Sequence, residues 1–153
     1  MESPLYVVER EFPAPVQRLW QAWTDAREIE QWYSPTDLSV VPGSVVSEPV
    51  VGGEWSVGVD VPEYGFVAWF HGRYTEVDAP RRFVHTLHYT QDRGEFEARD
   101  ESSGHHVVSV DLEPRGNRSW VRWSQFGEMD PAQVPATKAG MESYFDSLGA
   151  HLT

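Results

Sequence analysis

The segment from residue 13 to residue 35 reads PAPVQRLWQAWTDAREIEQWYSP and decides the fold class. Its first half predicts a short helix, because Pro15 suits the first helical position and apolar residues then recur at the spacing of one buried helix face. Those apolar residues are Val16, Leu19, Trp20 and Trp23. We expect the tryptophans of the segment, Trp20, Trp23 and Trp32, to be structural and to anchor its helices against a sheet.

A second short helix follows directly in the same segment. Asp25, with Glu28 three residues later, resembles a capping box that starts it. The apolar face of this helix consists of Ile29, Trp32 and Tyr33. Pro35 ends it, since the residue before a proline disfavours helical backbone. The chain is therefore expected to carry two short helices in tandem.

Most of the remaining sequence has the period of two that indicates half-buried β-strands. The segments with this pattern are Leu5–Phe12, Leu38–Val51, Gly53–Val61, Phe66–Val77, Arg82–Thr90, His105–Glu113 and Ser119–Phe126. Turn residues separate them, so consecutive strands are expected to pair antiparallel. The polar, acidic segment Gln91–Gly104 is expected to form a solvated hairpin tip.

The chain closes with the pattern of a longer helix, whose start is predicted at Asp130-Pro131 or at Pro135. Its apolar residues at helical spacing are Met141, Tyr144, Phe145, Leu148 and Leu152. Gly140 lies inside this helix, where glycine costs about 1 kcal/mol against alanine, and we expect it to mark a close approach to the sheet. The expected architecture is one α+β domain over residues 1–153.

Composition restricts the class of partner. Acidic side chains outnumber basic ones 24 to 12, a net charge of -12, which disfavours nucleic acid because phosphates are bound through Lys and Arg. No segment approaches the roughly 20 apolar residues of a membrane span, so no membrane insertion is expected. The absence of cysteine and of a signal-peptide start favours a cytoplasmic protein. Aromatic residues make up 13% of the chain, which favours a cavity walled by rings or an aromatic core.

Several motifs, taken in their order, resemble the family of activator of heat-shock-protein-90 ATPase homologues, within the SRPBCC or START-like superfamily. They are Leu19–Asp25 with Trp32 and Pro35, Gly52-Gly53, Gly72–Val77, Pro80–Val84, Val108–Glu113 and Gly140. The resemblance covers nearly the whole chain and implies the helix-grip, Bet v-like fold in the order β-α-α-β6-α. In that fold a curved antiparallel sheet surrounds the long C-terminal helix, with a cavity between them. One departure is Met141, where relatives often carry Trp.

No motif for metal, nucleophilic or nucleotide chemistry accompanies these patterns. His85 and His88 are three residues apart in a strand and so face opposite sides, while His105 and His106 are adjacent and also diverge. The sequence has no Gly-x-Ser-x-Gly elbow and no phosphate-binding glycine loop. We therefore expect neither a metal site nor a cofactor.

The parity of each strand selects the side chains that face the last helix. Together with residues of that helix, the predicted ligand-binding set is Trp55, Val57, Phe70, Tyr74, His85, Leu87, Trp123, Gln125, Met141, Tyr144 and Phe145. A one-residue shift in register would invert the choice on any strand. Solid packing of the same rings is the alternative to an open cavity.

The expected function is the binding of a hydrophobic small molecule, aromatic or lipid-like, in this cavity. The superfamily also contains polyketide cyclases, aromatases and co-chaperone domains, so two alternatives stay open. One is an enzyme in which His85 or Tyr74 is the acid/base residue. The other is a co-chaperone-like module that binds a heat-shock ATPase. The sequence leaves open whether the protein is an enzyme and whether it forms a homodimer.

Overall fold

The computed structural model describes residues 2–102 and 104–153 and has the predicted α+β class. These residues form eight strands, paired antiparallel. The strands are β1 (Tyr6–Phe12), β2 (Ser39–Val40), β3 (Val46–Ser47), β4 (Glu54–Val61), β5 (Phe66–Asp78), β6 (Arg82–Thr90), β7 (His106–Arg115) and β8 (Arg118–Phe126). The helices are α1 (Val16–Thr24), α2 (Ala26–Trp32), α3 (Arg93–Glu97) and α4 (Val134–His151), with 3-10 turns at Pro62–Tyr64 and Pro131–Gln133.

The strands lie in the order β1-β8-β7-β6-β5-β4-β2, and β3 also pairs with β4. The first strand of the chain therefore pairs with the last one, in a register that sets Tyr6 opposite Gln125 and Phe12 opposite Ser119. The sheet is curved, and α4 lies against it in contact with β1 and α2. This is the helix-grip arrangement that the resemblance implies.

The tandem helices form where the sequence predicts them. Asp25 caps α2, since its carboxylate accepts a hydrogen bond from the Arg27 backbone N–H at 2.9 Å. Trp32 is 2% exposed, and its indole N–H donates to the Ala22 carbonyl at 2.8 Å, which ties α2 to α1. Trp23 is equally buried. The predicted structural role of these two tryptophans agrees with their placement.

Aromatic rings fill the part of the interior that α1 covers. The centroid of the Trp23 ring lies 6.0 Å from that of Trp123 on β8 and 5.9 Å from that of Phe145 on α4. Trp20, which is partly buried, meets Phe83 of β6 edge-on at 5.8 Å. Such tilted and edge-on contacts stabilise aromatic cores beyond the area they bury. The cluster therefore joins α1, the sheet and α4 into one solid region.

The segment Leu38–Val51 was predicted as one strand, and the structure corrects this. It holds two strands of two residues each, β2 and β3, which both pair with β4. Pro42 and Gly43 interrupt the pairing between them, because proline cannot donate a ladder hydrogen bond and Gly43 has a φ of 80°, which favours glycine.

The segment Gln91–Gly104 was predicted as a solvated hairpin tip, and it contains the short helix α3. Phe96 of α3 is buried, and its ring stacks on Trp69 of β5 at 4.6 Å on the outer face of the sheet. The segment also makes ion pairs with the sheet, since Arg99 lies 3.8 Å from Glu54 and Glu101 lies 3.5 Å from Arg73. Ser103, near the end of the segment, lies outside the described residues.

The last helix, α4, begins at Val134, between the two predicted starts. The turn before it is capped by Asp130, whose carboxylate accepts from the Ala132 N–H at 3.0 Å. In the described part of the chain, no helix combines the length and the apolar character that crossing a membrane requires.

Candidate ligand-binding site

A cavity of about 150 Å³ lies between the inner face of the sheet and the N-terminal half of α4. Its lining residues are Tyr6, Tyr33, Phe70, Leu87, Trp123, Gln125, Thr137, Gly140, Met141 and Tyr144. Rings and aliphatic groups make up most of this wall, and none of its residues is charged. A cavity of this size and character can hold one benzene-sized ring.

The helix side of the cavity follows from helical periodicity. Thr137, Gly140, Met141 and Tyr144 are spaced so that they lie on one face of α4. A Cβ built on Gly140 would meet no atom within 4 Å. The prediction that this glycine marks a close approach to the sheet is therefore wrong: it leaves open space where a side chain would enter the cavity.

A chain of hydrogen bonds forms the polar part of the wall. The Tyr6 hydroxyl and Gln125 Oε1 are 2.6 Å apart, and the indole Nε1 of Trp123 lies 3.3 Å from the same hydroxyl. Gln125 Nε2 is 2.7 Å from Nδ1 of His106, whose Nε2 is 2.9 Å from the Glu128 carbonyl. Burial raises the pKa of Tyr6 to about 12, so this phenol is neutral. We call Tyr6, Gln125 and His106 the relay.

Two further phenols face the cavity. The rings of Tyr33, just after α2, and Tyr144, on α4, meet edge-on at 5.1 Å. Burial raises the pKa of both hydroxyls well above the ordinary value, so both keep their protons. Neither hydroxyl has a hydrogen-bond partner among residues 2–102 and 104–153, and both are available to a bound molecule.

The cavity continues into a larger depression of about 450 Å³ on the surface. The two share Phe70, Leu87, Gln125 and Thr137, so one space leads into the other. The outer part is lined by more polar groups, among them His106. A ligand held in the cavity can therefore extend toward solvent at this end of the sheet.

Six of the eleven predicted ligand-binding residues line the cavity: Phe70, Leu87, Trp123, Gln125, Met141 and Tyr144. The strand members confirm the predicted parity, because each lies on the inner face. Met141 is 5% exposed and forms part of the wall.

The other five predicted residues do not line this cavity: Trp55, Val57, Tyr74, His85 and Phe145. The four strand residues are buried on the inner face of the sheet and Phe145 is buried on α4, all of them among core side chains. The Trp55 ring stacks on the His85 imidazole at 4.2 Å, and the Tyr74 hydroxyl is 2.8 Å from Ser47 Oγ. Strand parity gives the face of a sheet and not the depth along it, which is why the prediction included the four strand residues, and helical spacing has the same limit for Phe145.

His85 was predicted to be one of the polar side chains of the cavity, but it lies in the core. It is 1% exposed, between the Trp55 ring and the Phe83 ring, which lies parallel to it at 5.9 Å. Burial lowers its pKa to about 4, against the opposing effect of a hydrogen bond to the Thr86 carbonyl. The neutral ring donates its Nδ1–H to that carbonyl at 2.8 Å. His85 is thus a neutral core side chain.

The prediction from the sequence did not include four of the lining residues: Tyr6, Tyr33, Thr137 and Gly140. Tyr6 reaches the cavity because β1 pairs with β8, which is 119 residues away in the chain. No local pattern signals that pairing. Thr137 could have been found, since it lies four residues before Met141 on the same helix face.

The histidines do not assemble a metal site. Among residues 2–102 and 104–153, no three His, Asp or Glu side chains have the geometry to hold a metal ion. His88 faces the outer side of the sheet, opposite to His85, and its ring stacks on His71 at 5.0 Å. Burial, followed by the neighbouring imidazoles, lowers the pKa of both His71 and His88.

A curved antiparallel sheet around a long C-terminal helix, with a small apolar cavity between them, defines a helix-grip protein of the START-like class. The family model described as activator of Hsp90 ATPase homolog 1-like protein matches residues 13–153. The chain belongs to this family, as the motifs of the sequence indicate. No curated protein matches it.

Solved structures share the fold over almost the whole chain. The crystal structure of an AHSA1 protein from Silicibacter pomeroyi has a TM-score of 0.80 at 22% identity and covers 96% of each chain. A solution structure of a protein from Arthrobacter aurescens has a TM-score of 0.77 at 26% identity, covering 95% of this chain and 84% of the other. A crystal structure from Chromobacterium violaceum has a TM-score of 0.78 at 19% identity, covering 95% and 94%. These similarities establish the fold.

Proposed function

We propose that the protein binds a hydrophobic small molecule in the cavity between the sheet and α4. The observation that carries this proposal is the cavity of about 150 Å³, with an uncharged wall and a few convergent polar groups. Apolar walls with a small number of placed polar groups are typical of small-molecule sites. The hydroxyls of Tyr33 and Tyr144 support it further, because these tyrosines line the cavity and their phenols can donate hydrogen bonds to a bound molecule.

The enzymatic alternative gains less support from the same geometry. Both residues considered for acid/base chemistry are already engaged away from the cavity: His85 donates to the Thr86 carbonyl, and Tyr74 is bonded to Ser47. The low pKa of His85, about 4, also leaves it neutral and weakly basic at neutral pH. We therefore propose binding alone.

The proposal is tested by blocking the cavity. A Gly140→Leu variant places a side chain in the open space beside the helix, and Ala139→Leu, at an exposed neighbouring position, is its matched control. A panel of small aromatic molecules and an environment-sensitive dye is added to each protein. At a concentration of 100 Kd a ligand stabilises by about 2.7 kcal/mol, which raises Tm by about 5–10 °C in a chain of this length.

We expect the native protein and Ala139→Leu to show this rise and Gly140→Leu to lose it while remaining folded. An equal rise in the blocked variant would place the ligand elsewhere, and no rise in any protein would refute the proposal. Native mass spectrometry of the protein purified from its own host is a second test, because a retained molecule would be observed directly.

A further inference from the structure

We infer that the ligand is a small ring bearing a hydroxyl group, a phenol or a cyclic alcohol, and that the relay of Tyr6, Gln125 and His106 selects it. This inference rests on the proposed function, since it assigns the ligand class of the same cavity. It is carried by the direction of the hydrogen bonds in the relay, by the free phenols beside it and by the volume of the cavity.

The direction of the relay is fixed at its outer end. The Glu128 carbonyl can only accept, so in the singly protonated ring of His106 the proton lies on Nε2, 2.9 Å from that oxygen. Nδ1 of the same ring is then an acceptor, and Gln125 must turn its Nε2–H₂ group toward it at 2.7 Å. The backbone carbonyl of Glu128 thus sets the orientation of the Gln125 amide through the His106 ring.

The inner end of the relay follows in turn. With its nitrogen on His106, the Gln125 amide directs Oε1 to Tyr6, and the Tyr6 hydroxyl donates its one proton across the 2.6 Å distance. The Trp123 indole, which can only donate, gives its N–H to the Tyr6 oxygen at 3.3 Å. The Tyr6 proton is thus used within the wall, so Tyr6 offers the cavity an oxygen lone pair, while Gln125 offers a lone pair of Oε1 and the second hydrogen of Nε2.

The neighbouring phenols have the opposite character. The hydroxyls of Tyr33 and Tyr144, bonded to no other described residue, keep their protons and can donate them to a ligand. Thr137 cannot assist, because its hydroxyl donates to the Gln133 carbonyl at 3.0 Å. A ligand group that both donates, to the relay, and accepts, from the phenols, uses both parts of the polar wall. A hydroxyl group does both.

The charge and size of the cavity exclude the main alternative classes of ligand. No Lys or Arg lines the cavity, and the same burial that raises the pKa of Tyr6 and Tyr144 opposes a carboxylate there. A ketone or ether only accepts, so it leaves the lone pairs of the relay without a donor. A volume of about 150 Å³ limits the buried part of the ligand to about one six-membered ring.

The test compares four probes of one shape at about pH 8, where a phenol is neutral and a carboxylic acid is charged. They are p-cresol, which donates and accepts; 4-methylanisole, which only accepts; p-xylene, which does neither; and p-toluate, which is charged. Dissociation constants are measured by calorimetry on the full chain. We expect p-cresol to bind about tenfold more tightly than p-xylene, the effect of one to two hydrogen bonds. The affinity of 4-methylanisole should lie between theirs, because its ether oxygen accepts from the phenols but donates nothing to the relay, and p-toluate should bind most weakly.

Two variants locate the effect. Tyr6→Phe and Gln125→Met are each expected to weaken p-cresol about fivefold, the effect of one hydrogen bond, and to leave p-xylene unchanged. Tyr64→Phe is the matched control, because Tyr64 is 74% exposed and lies outside the cavity. It should change neither probe.

Equal affinity for p-cresol and p-xylene, or a preference for p-toluate, would overturn the inferred ligand class and leave the proposed function standing. Unchanged discrimination in both variants would overturn the role of the relay. If none of the four probes binds, the small-ring class is wrong, and the proposed function is then decided separately by the larger dye in the cavity-blocking experiment.

Discussion

The inner face of the sheet has a filled region and an open region, and both are built from the same kinds of residue. In the filled region, Trp23 from α1 lies against Trp123 and Phe145, and Trp55 stacks on His85. In the open region, aromatic and aliphatic side chains of the sheet face α4 across a cavity of about 150 Å³. The filled and the open region therefore do not differ in whether the sheet carries large side chains there.

What separates them is the covering layer. The tandem helices insert indole rings over one region, while α4 covers most of the other, with Gly140 on the facing side and Tyr33 at its border. A cavity therefore arises where a covering helix lacks a side chain, and its polar character comes from the ends of β1 and β8. The following predictions test this comparison.

The largest expected effect lies in the filled region. Trp32→Ala removes a side chain that is 2% exposed, together with its hydrogen bond to the Ala22 carbonyl. We expect the free energy of unfolding to fall by about 3–5 kcal/mol, the usual cost of truncating a buried Trp, measured by urea denaturation. Trp120→Ala is the control, because that ring is only partly buried, with the Arg115 guanidinium 4.5 Å above it. A similar loss in both would mean that α2 does not anchor the filled region.

The helices of the filled region could be predicted because their signals are local. The spacing of Leu19 and Trp23, the cap at Asp25 and the stop at Pro35 all act within a few residues. The helix α3 could not, because its docking depends on contact between Phe96 and Trp69, which are far apart in the sequence. The pairing of β1 with β8 is equally non-local, and it brings Tyr6 into the site.

The second prediction concerns the pH dependence of the filled region. The pKa of His85 is about 4 in the folded protein, below its ordinary value of 6.5, because the ring is buried. Between pH 4 and pH 6.5, the unfolded chain therefore binds a proton at His85 that the folded chain does not bind. The stability that neutral His85 contributes is present above pH 6.5 and is lost as the pH falls toward 4.

A His85→Phe variant keeps a ring between Trp55 and Phe83 and removes the titration. Between about pH 7 and pH 4, its free energy of unfolding should fall by about 3 kcal/mol less than that of the native protein. His71 and His88, whose pKa values are also lowered, titrate in both proteins, so the difference isolates His85. Parallel pH profiles for the two proteins would show that His85 is not a buried neutral ring.

Non-local packing also explains why only some of the predicted site residues line the cavity. Period-two parity correctly assigned Phe70 and Leu87 to the inner face, along with Tyr74 and His85, yet only the first two line the cavity. Which part of a face stays open depends on side chains from other elements, and strand sequence carries no information about them. The open region could therefore be predicted only as a face and not as a set of residues.

The smallest expected effect is in the open region, where two glycines of α4 form a matched pair. Gly140→Ala should raise the free energy of unfolding by about 1 kcal/mol, because alanine favours helix and a Cβ there meets no atom within 4 Å. Gly149→Ala should give a similar gain, since its Cβ would lie in ordinary contact, 3.8 Å from the Phe12 ring. Only Gly140→Ala adds a methyl group beside the cavity, so only it should weaken the binding of p-cresol and p-xylene. A loss of stability in Gly140→Ala, measured by urea denaturation beside Gly149→Ala, would mean that the helix does lie close to the sheet at residue 140 and that the open region is filled in solution.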